Sequence, residues 1–127
     1  MAEYGMKLNP EPFEMIKSGR KTFELRLYDE KRQKIKPGDN IVFTETVTGE
    51  KLCVKVKKLH CFNSFEELYK SLPLLKCGYT EDTVSDATPS DMEKYYSAEE
   101  QKKYGVVGIE ISRYTGDAHE LCDRSKL

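Results

Sequence analysis

The chain has 127 residues, 38% of them hydrophobic and 34% charged, with a formal net charge of -1. That length supports one ordinary domain around one core, and it excludes two. No run of about 18 apolar residues is present, and the start, MAEYGMKL, lacks the basic and apolar regions of a signal peptide, so a soluble, cytoplasmic protein is expected.

The first element predicted is a strand over Tyr4 to Leu8. Asn9-Pro10 then opens a helix, with Pro10 near its first position and Glu11 and Glu14 where the positive end of the dipole favours acids. Phe13 and Ile16 supply its buried side, and Gly19 ends it, because glycine accepts the left-handed backbone of a helix stop. From Thr22 the pattern alternates. Phe23, Leu25 and Leu27 point one way, and Thr22, Glu24, Arg26 and Tyr28 the other.

A polar helical turn is predicted over Asp29 to Lys34, then a turn at Lys36-Pro37-Gly38-Asp39 that feeds the strand NIVFTE. Val47-Thr48-Gly49-Glu50 turns the chain back into a second hairpin arm, in which Leu52, Val54 and Val56 alternate with Cys53, Lys55 and Lys57. Ser64 and Glu67 form a capping box before a helix with Phe65, Leu68 and Leu72 on one face. The stretch 74 to 90 has no clear period and reads as a loop covering a pocket. Thr88-Pro89 and Ser97-x-x-Glu100 introduce two short polar helices, and YGVVGIEIS is the last strand, where Gly108 signals close approach by another element or a ligand.

The near-zero net charge hides an asymmetry. Residues 17 to 60 carry twelve Lys or Arg against six acids, whereas residues 81 to 100 carry seven acids and the single Lys94. One basic side is therefore expected, a field that attracts a phosphate backbone, and the acidic segment 81–100 is an alternative surface for a protein partner. Cys53, Cys61, Cys77 and Cys122 are scattered and read as reduced thiols; His60-Cys61, Cys77 and His119-x-x-Cys122 have poor spacing for a metal. Neither a metal nor a cofactor is expected, and His60 and His119 have no partner in the sequence.

Glu24 and Arg26 lie two residues apart on one strand face, roughly 6.5 to 7 Å between Cα atoms, and can pair or clamp a ligand. Lys21 sits at an odd offset and reaches them only if Gly19-Arg20-Lys21 is still turning. These residue types fit two arrangements equally well: a ligand site, or a structural ion pair closing the fold. In a cleft open to water, Glu24→Gln is expected to lose under about 2 kcal/mol of stability.

Gly19, Lys21, Glu24 and Arg26, the KPGDNIVF block at 36 to 43 and the YGVVGIEI block at 104 to 111 occur in the order that marks the ASCH domains, a branch of the PUA-like superfamily. The chain resembles that family from about residue 6 to about residue 113. The resemblance implies an α+β fold, a small PUA-like mixed β-barrel of about five to six strands with flanking α-helices. It assigns residues 1–114 to the domain and 115–127 to a C-terminal tail or short docked helix.

It also implies RNA association, with RNA or a modified nucleotide or nucleoside received beside the motif strand. On this reading the ligand-binding residues are Gly19, Lys21, Thr22, Glu24, Arg26, Tyr28 and Tyr104. One similar branch, the acetylcytidine amidohydrolases, shares GRKT but uses a Thr nucleophile where Glu24 stands, with a downstream Glu for which Glu81 is the only counterpart in the 74 to 82 stretch. The alternative is therefore a metal-independent hydrolase of acylated nucleosides or RNA, with Lys21 as base, Glu24 as its catalytic partner and Arg26 stabilising negative charge.

Overall fold

The computed structural model describes residues 2–113. The tail or docked helix expected over 115–127 lies outside the described residues, as do His119 and Cys122. Five strands, β1 (Glu3–Leu8), β2 (Phe23–Leu27), β3 (Asn40–Glu45), β4 (Lys51–Phe62) and β5 (Val106–Arg113), form one mixed sheet in the order β1-β3-β4-β5-β2. Only the β1–β3 pairing is parallel; the other three are antiparallel. The sheet curls into a half-barrel that matches the PUA-like, α+β architecture.

Helix α1 (Pro10–Lys17) gives Phe13 and Ile16 to the inner core, where they meet Ile41, Phe43, Val54, Val56, Val107 and Ile109. A second core lies on the outer face of β2 and β5, where Phe23, Leu25, Leu27 and Val106 pack against Phe65 and Leu68 of helix α2 (Phe65–Ser71). Gly108 faces this outer core. A Cβ there would come within 2.4 Å of Leu72 Cδ1, so the close approach is made by the end of α2. Helix α3 (Ala98–Tyr104) starts on the capping box of Ser97 and Glu100. At α2 the Ser64 hydroxyl accepts from the Glu67 N–H, but the Glu67 carboxylate accepts from Asn63 rather than Ser64, so only half of the predicted box forms.

Strand β4 runs to Phe62, five residues beyond the alternating stretch in the sequence. The reason is a bulge between Val56 and Lys58, which shifts the register by one. Before it Val54 and Val56 face inward; after it Leu59 and Cys61 stand opposite the inward Ile109 and Val107. Among the described residues, no helix is long and apolar enough to cross a membrane.

Candidate functional site

The charged face of β2 points into the barrel. Glu24 stands opposite Ile109 and Arg26 opposite Val107, and cross-strand partners share a face, so both side chains lie on the inward side. They lie there because the barrel is incomplete. β1 and β2 are the two free edges of the sheet, and across the seam Arg26 Nη2 donates to the Lys7 carbonyl at 3.1 Å.

Lys21 joins them through the helix stop. Gly19 has φ +83°, its N–H donates to Ile16 O, and the N–H groups of Arg20 and Lys21 both donate to Met15 O. This is a Schellman closure followed by one more turning residue. Thus Lys21, despite its odd offset, brings Nζ to 2.8 Å from Glu24 Oε1. Arg26 takes the other oxygen, with Nε and Nη2 each 2.7 Å from Oε2. The side chains of Lys21, Glu24 and Arg26 are only 9%, 5% and 14% exposed. The expectation of a water-filled cleft is corrected here: the three charges form a buried floor.

The electrostatics follow from that burial. Desolvation pushes the Glu24 carboxyl up, but Lys21 and Arg26 outweigh it and hold the group below the usual carboxylate range. For Arg26 burial works against the charge, and Glu24 with the nearby Tyr96 phenol more than offsets it. Two cations share one anion, so the floor keeps a positive charge.

Above the floor lies a cavity of about 560 Å³. Lys7, Leu8 and Met15 line one side, and the segment after α2 supplies the other with Cys77, Gly78, Tyr79, Asp91, Met92 and Tyr96. That segment is the cover read from the aperiodic stretch, and it is tied down at its base, where the Thr22 N–H donates to Lys76 O at 2.8 Å. Further out, Tyr69 and Tyr79 share a 2.7 Å hydrogen bond and the Tyr79 hydroxyl donates to Asp91 Oδ2 at 2.6 Å. Burial, then Asp91 and Tyr69, raise the Tyr79 phenol far above its ordinary value. Burial likewise pushes the Cys77 thiol up to about 12, with Lys21 pulling the other way. Both groups enter the cavity protonated.

Of the residues singled out in the sequence, the fold brings Lys21, Glu24 and Arg26 together on this cavity. Gly19 and Thr22 do not line it; Gly19 forms the turn and Thr22 anchors the cover. Tyr28 and Tyr104 line a different hollow beside Cys61, Phe62 and Lys103. Tyr69, Cys77, Tyr79, Asp91 and Tyr96 were not among the site residues read from the sequence, because they lie in or face a segment without a period. His60 does have a partner: its Nε2 lies 2.9 Å from Glu110 Oε1. Cys53, Cys61 and Cys77 are free thiols, and among the described residues no group of three His, Cys, Asp or Glu side chains is placed to hold a metal ion.

No curated protein matches the chain. Two solved structures are similar to it along nearly their whole length. The crystal structure of hypothetical protein PH0355 is 40% identical, with a TM-score of 0.72 over 88% of this chain and 99% of that one. The solution structure of protein PF0455 from Pyrococcus furiosus is 39% identical, with a TM-score of 0.70 over 90% of this chain and 99% of that one. The family model of the ASCH domain matches residues 6–114, a span that contains the Gly19 turn, the Lys21–Glu24–Arg26 floor, the hairpin and the last described strand; the chain belongs to the ASCH domain family.

Proposed function

We propose that the chain binds RNA, or a modified nucleotide or nucleoside, in the cavity floored by Lys21, Glu24 and Arg26. The observation that carries this reading is the convergence of two cations on one buried carboxylate at the floor of a cavity. One cation is enough to neutralise the carboxylate. The second leaves a positive floor that a phosphate or a base carbonyl can meet, while Tyr79 and Tyr96 offer aromatic surface to a base. The cavity volume is in the range of small-ligand sites. Membership of a family generally linked to RNA binding supports the same reading.

The test is direct binding of a short single-stranded RNA and of free nucleosides to the parent, Lys21→Met and Arg26→Lys. Lysine at position 26 keeps the charge but loses the fork that grips Glu24. RNA affinity is expected to fall with salt, with a logarithmic slope of about -0.7 per phosphate contact, and to drop in both variants. No binding of either ligand, or binding that neither substitution changes, would refute the proposal.

The hydrolase reading needs Lys21 as a base and Glu24 as its partner, but Lys21 Nζ is engaged at 2.8 Å by Glu24 Oε1 and both oxygens of Glu24 are taken by cations. Neither is poised as a nucleophile or a free base. We expect no turnover of acetylcytidine or mixed RNA without added metal; turnover lost in a folded Lys21→Met protein would reverse the order of the two readings. The adaptor reading through residues 81–100 is weaker still, since Asp91 of that segment is turned inward onto Tyr79.

A further inference from the structure

We propose that the hollow around Tyr28 and Tyr104 is a second nucleotide subsite, which receives the base next to the one in the main cavity and so selects single-stranded RNA over a free nucleoside. The inference rests on the nucleotide reading of the main cavity and extends it.

The hollow has a volume of about 560 Å³, the same as the main cavity. Its position follows from the motif strand. The Tyr28 N–H donates to Gly105 O at 3.0 Å, continuing the β2–β5 pairing one residue past Leu27 and Val106. Tyr28 therefore follows Arg26 on the same inward side of the chain, about 7 Å further along. Arg26 lines one hollow and Tyr28 the other, so the two hollows meet the same strand two residues apart.

The chemistry of the hollow is that of a strand-binding groove. Tyr28, Phe62 and Tyr104 supply aromatic surface, and Lys102 and Lys103 stand exposed at its edge. Neither lysine forms an ion pair among the described residues. Lys103 Nζ instead lies 5.0 Å from the centroid of the Tyr104 ring. The one acid in the lining, Glu67, already accepts from the Asn63 N–H at 3.0 Å. Stacking surface beside cations that form no ion pair among the described residues suits a base with its phosphate, and a neutral metabolite would have no use for the lysines. Lysines are also favoured in the last turn of any helix.

The experiment measures adenosine and uridine 5′-monophosphates and a mixed-sequence RNA tetranucleotide against the full chain. The tetranucleotide is expected to bind about 10-fold tighter than either mononucleotide. Lys102→Ser with Lys103→Ser, both on the surface, should remove most of that gain and reduce the salt slope by about 0.7 per lost phosphate contact, leaving mononucleotide binding as it was. Tyr104→Leu, which keeps apolar volume against the outer core, should cut tetranucleotide affinity by a similar factor. A tetranucleotide no tighter than the mononucleotides overturns the subsite, and so does an acidic tetrapeptide that binds with the same dependence on Tyr104 and the lysines. If mononucleotides fail while the tetranucleotide keeps that dependence, the main-cavity reading falls and the hollow stands as an RNA site.

Discussion

Two glutamates, one at the cavity floor and one at the hairpin turn, are both buried and both held below the usual carboxylate range, yet they are satisfied in opposite ways. Glu45 accepts from the Thr48 hydroxyl and from the N–H groups of Val47 and Thr48, all within three residues. These neutral donors come with the turn itself, so the charge is stabilised without importing another. Glu24 is met by two full cations, one from the helix stop and one from its own strand. The hairpin arrangement is closed; the floor arrangement is overcompensated and faces a cavity. Both carboxylates are buried and satisfied; they differ in the charge of their partners, and the proposed site is the one left with a net cation.

The largest effect expected is that of Glu24→Gln. Removing the shared anion leaves Lys21 and Arg26 buried without a counter-charge, and denaturant unfolding should show a loss of about 3–5 kcal/mol. A loss under about 1 kcal/mol would mean that water reaches the floor and that the contrast with Glu45 is false. Glu45→Gln, which keeps an acceptor for the turn, should shift the unfolding midpoint by less than half as much.

The pH dependence sharpens the same contrast. Because the Glu24 carboxyl is depressed in the folded state, its contribution is fully present above its ordinary value of 4.5 and is lost as pH falls through the lower folded value. The parent should thus be destabilised by acid below about pH 4.5. Glu24→Gln should flatten that fall without abolishing it, since Glu45 and Asp39 are depressed as well. A variant curve parallel to the parent's would show that Glu24 carries none of the acid sensitivity.

Tyr79→Phe tests the cover rather than the floor. It removes the hydroxyl between Tyr69 and Asp91 and should cost about 1 kcal/mol, visible as a small fall in midpoint. The smallest change in stability, and the most informative, is expected from Lys21→Met, Glu24→Leu and Arg26→Met combined. Apolar replacement of a complete buried ion group is often neutral or stabilising, so the triple variant should stay within about 1 kcal/mol of the parent while losing RNA binding. A triple variant that binds as the parent does would leave the charges a structural role only.

Much of this was readable in the sequence wherever a local cause acts. Asn9-Pro10 starts α1, Gly19 stops it, and Pro37-Gly38 turns the chain into β3, because caps and turns depend on a few neighbouring residues. The turn at Gly19 was also enough to foresee that Lys21 could reach Glu24. The far end of β4 was not readable, since its bulge breaks the alternation after Val56. The His60–Glu110 pair, 50 residues apart, and the Tyr69–Tyr79–Asp91 chain were not readable either, because no period links residues that meet only through strand order and a folded loop.

Which side chains share a face of β2 follows from the order of residues alone, since alternation is a property of the extended backbone. That order also makes a charged triad available near a helix stop. That the charged face is the inner one comes from the way the strands assemble. The order β1-β3-β4-β5-β2 leaves β1 and β2 as unpaired edges, and at that seam Arg26 reaches the Lys7 carbonyl while the cover from residue 76 onward shields the floor from water. The same residues on a solvated strand would be an ordinary surface cluster; burial between two unpaired edges sets them on the floor of a cavity.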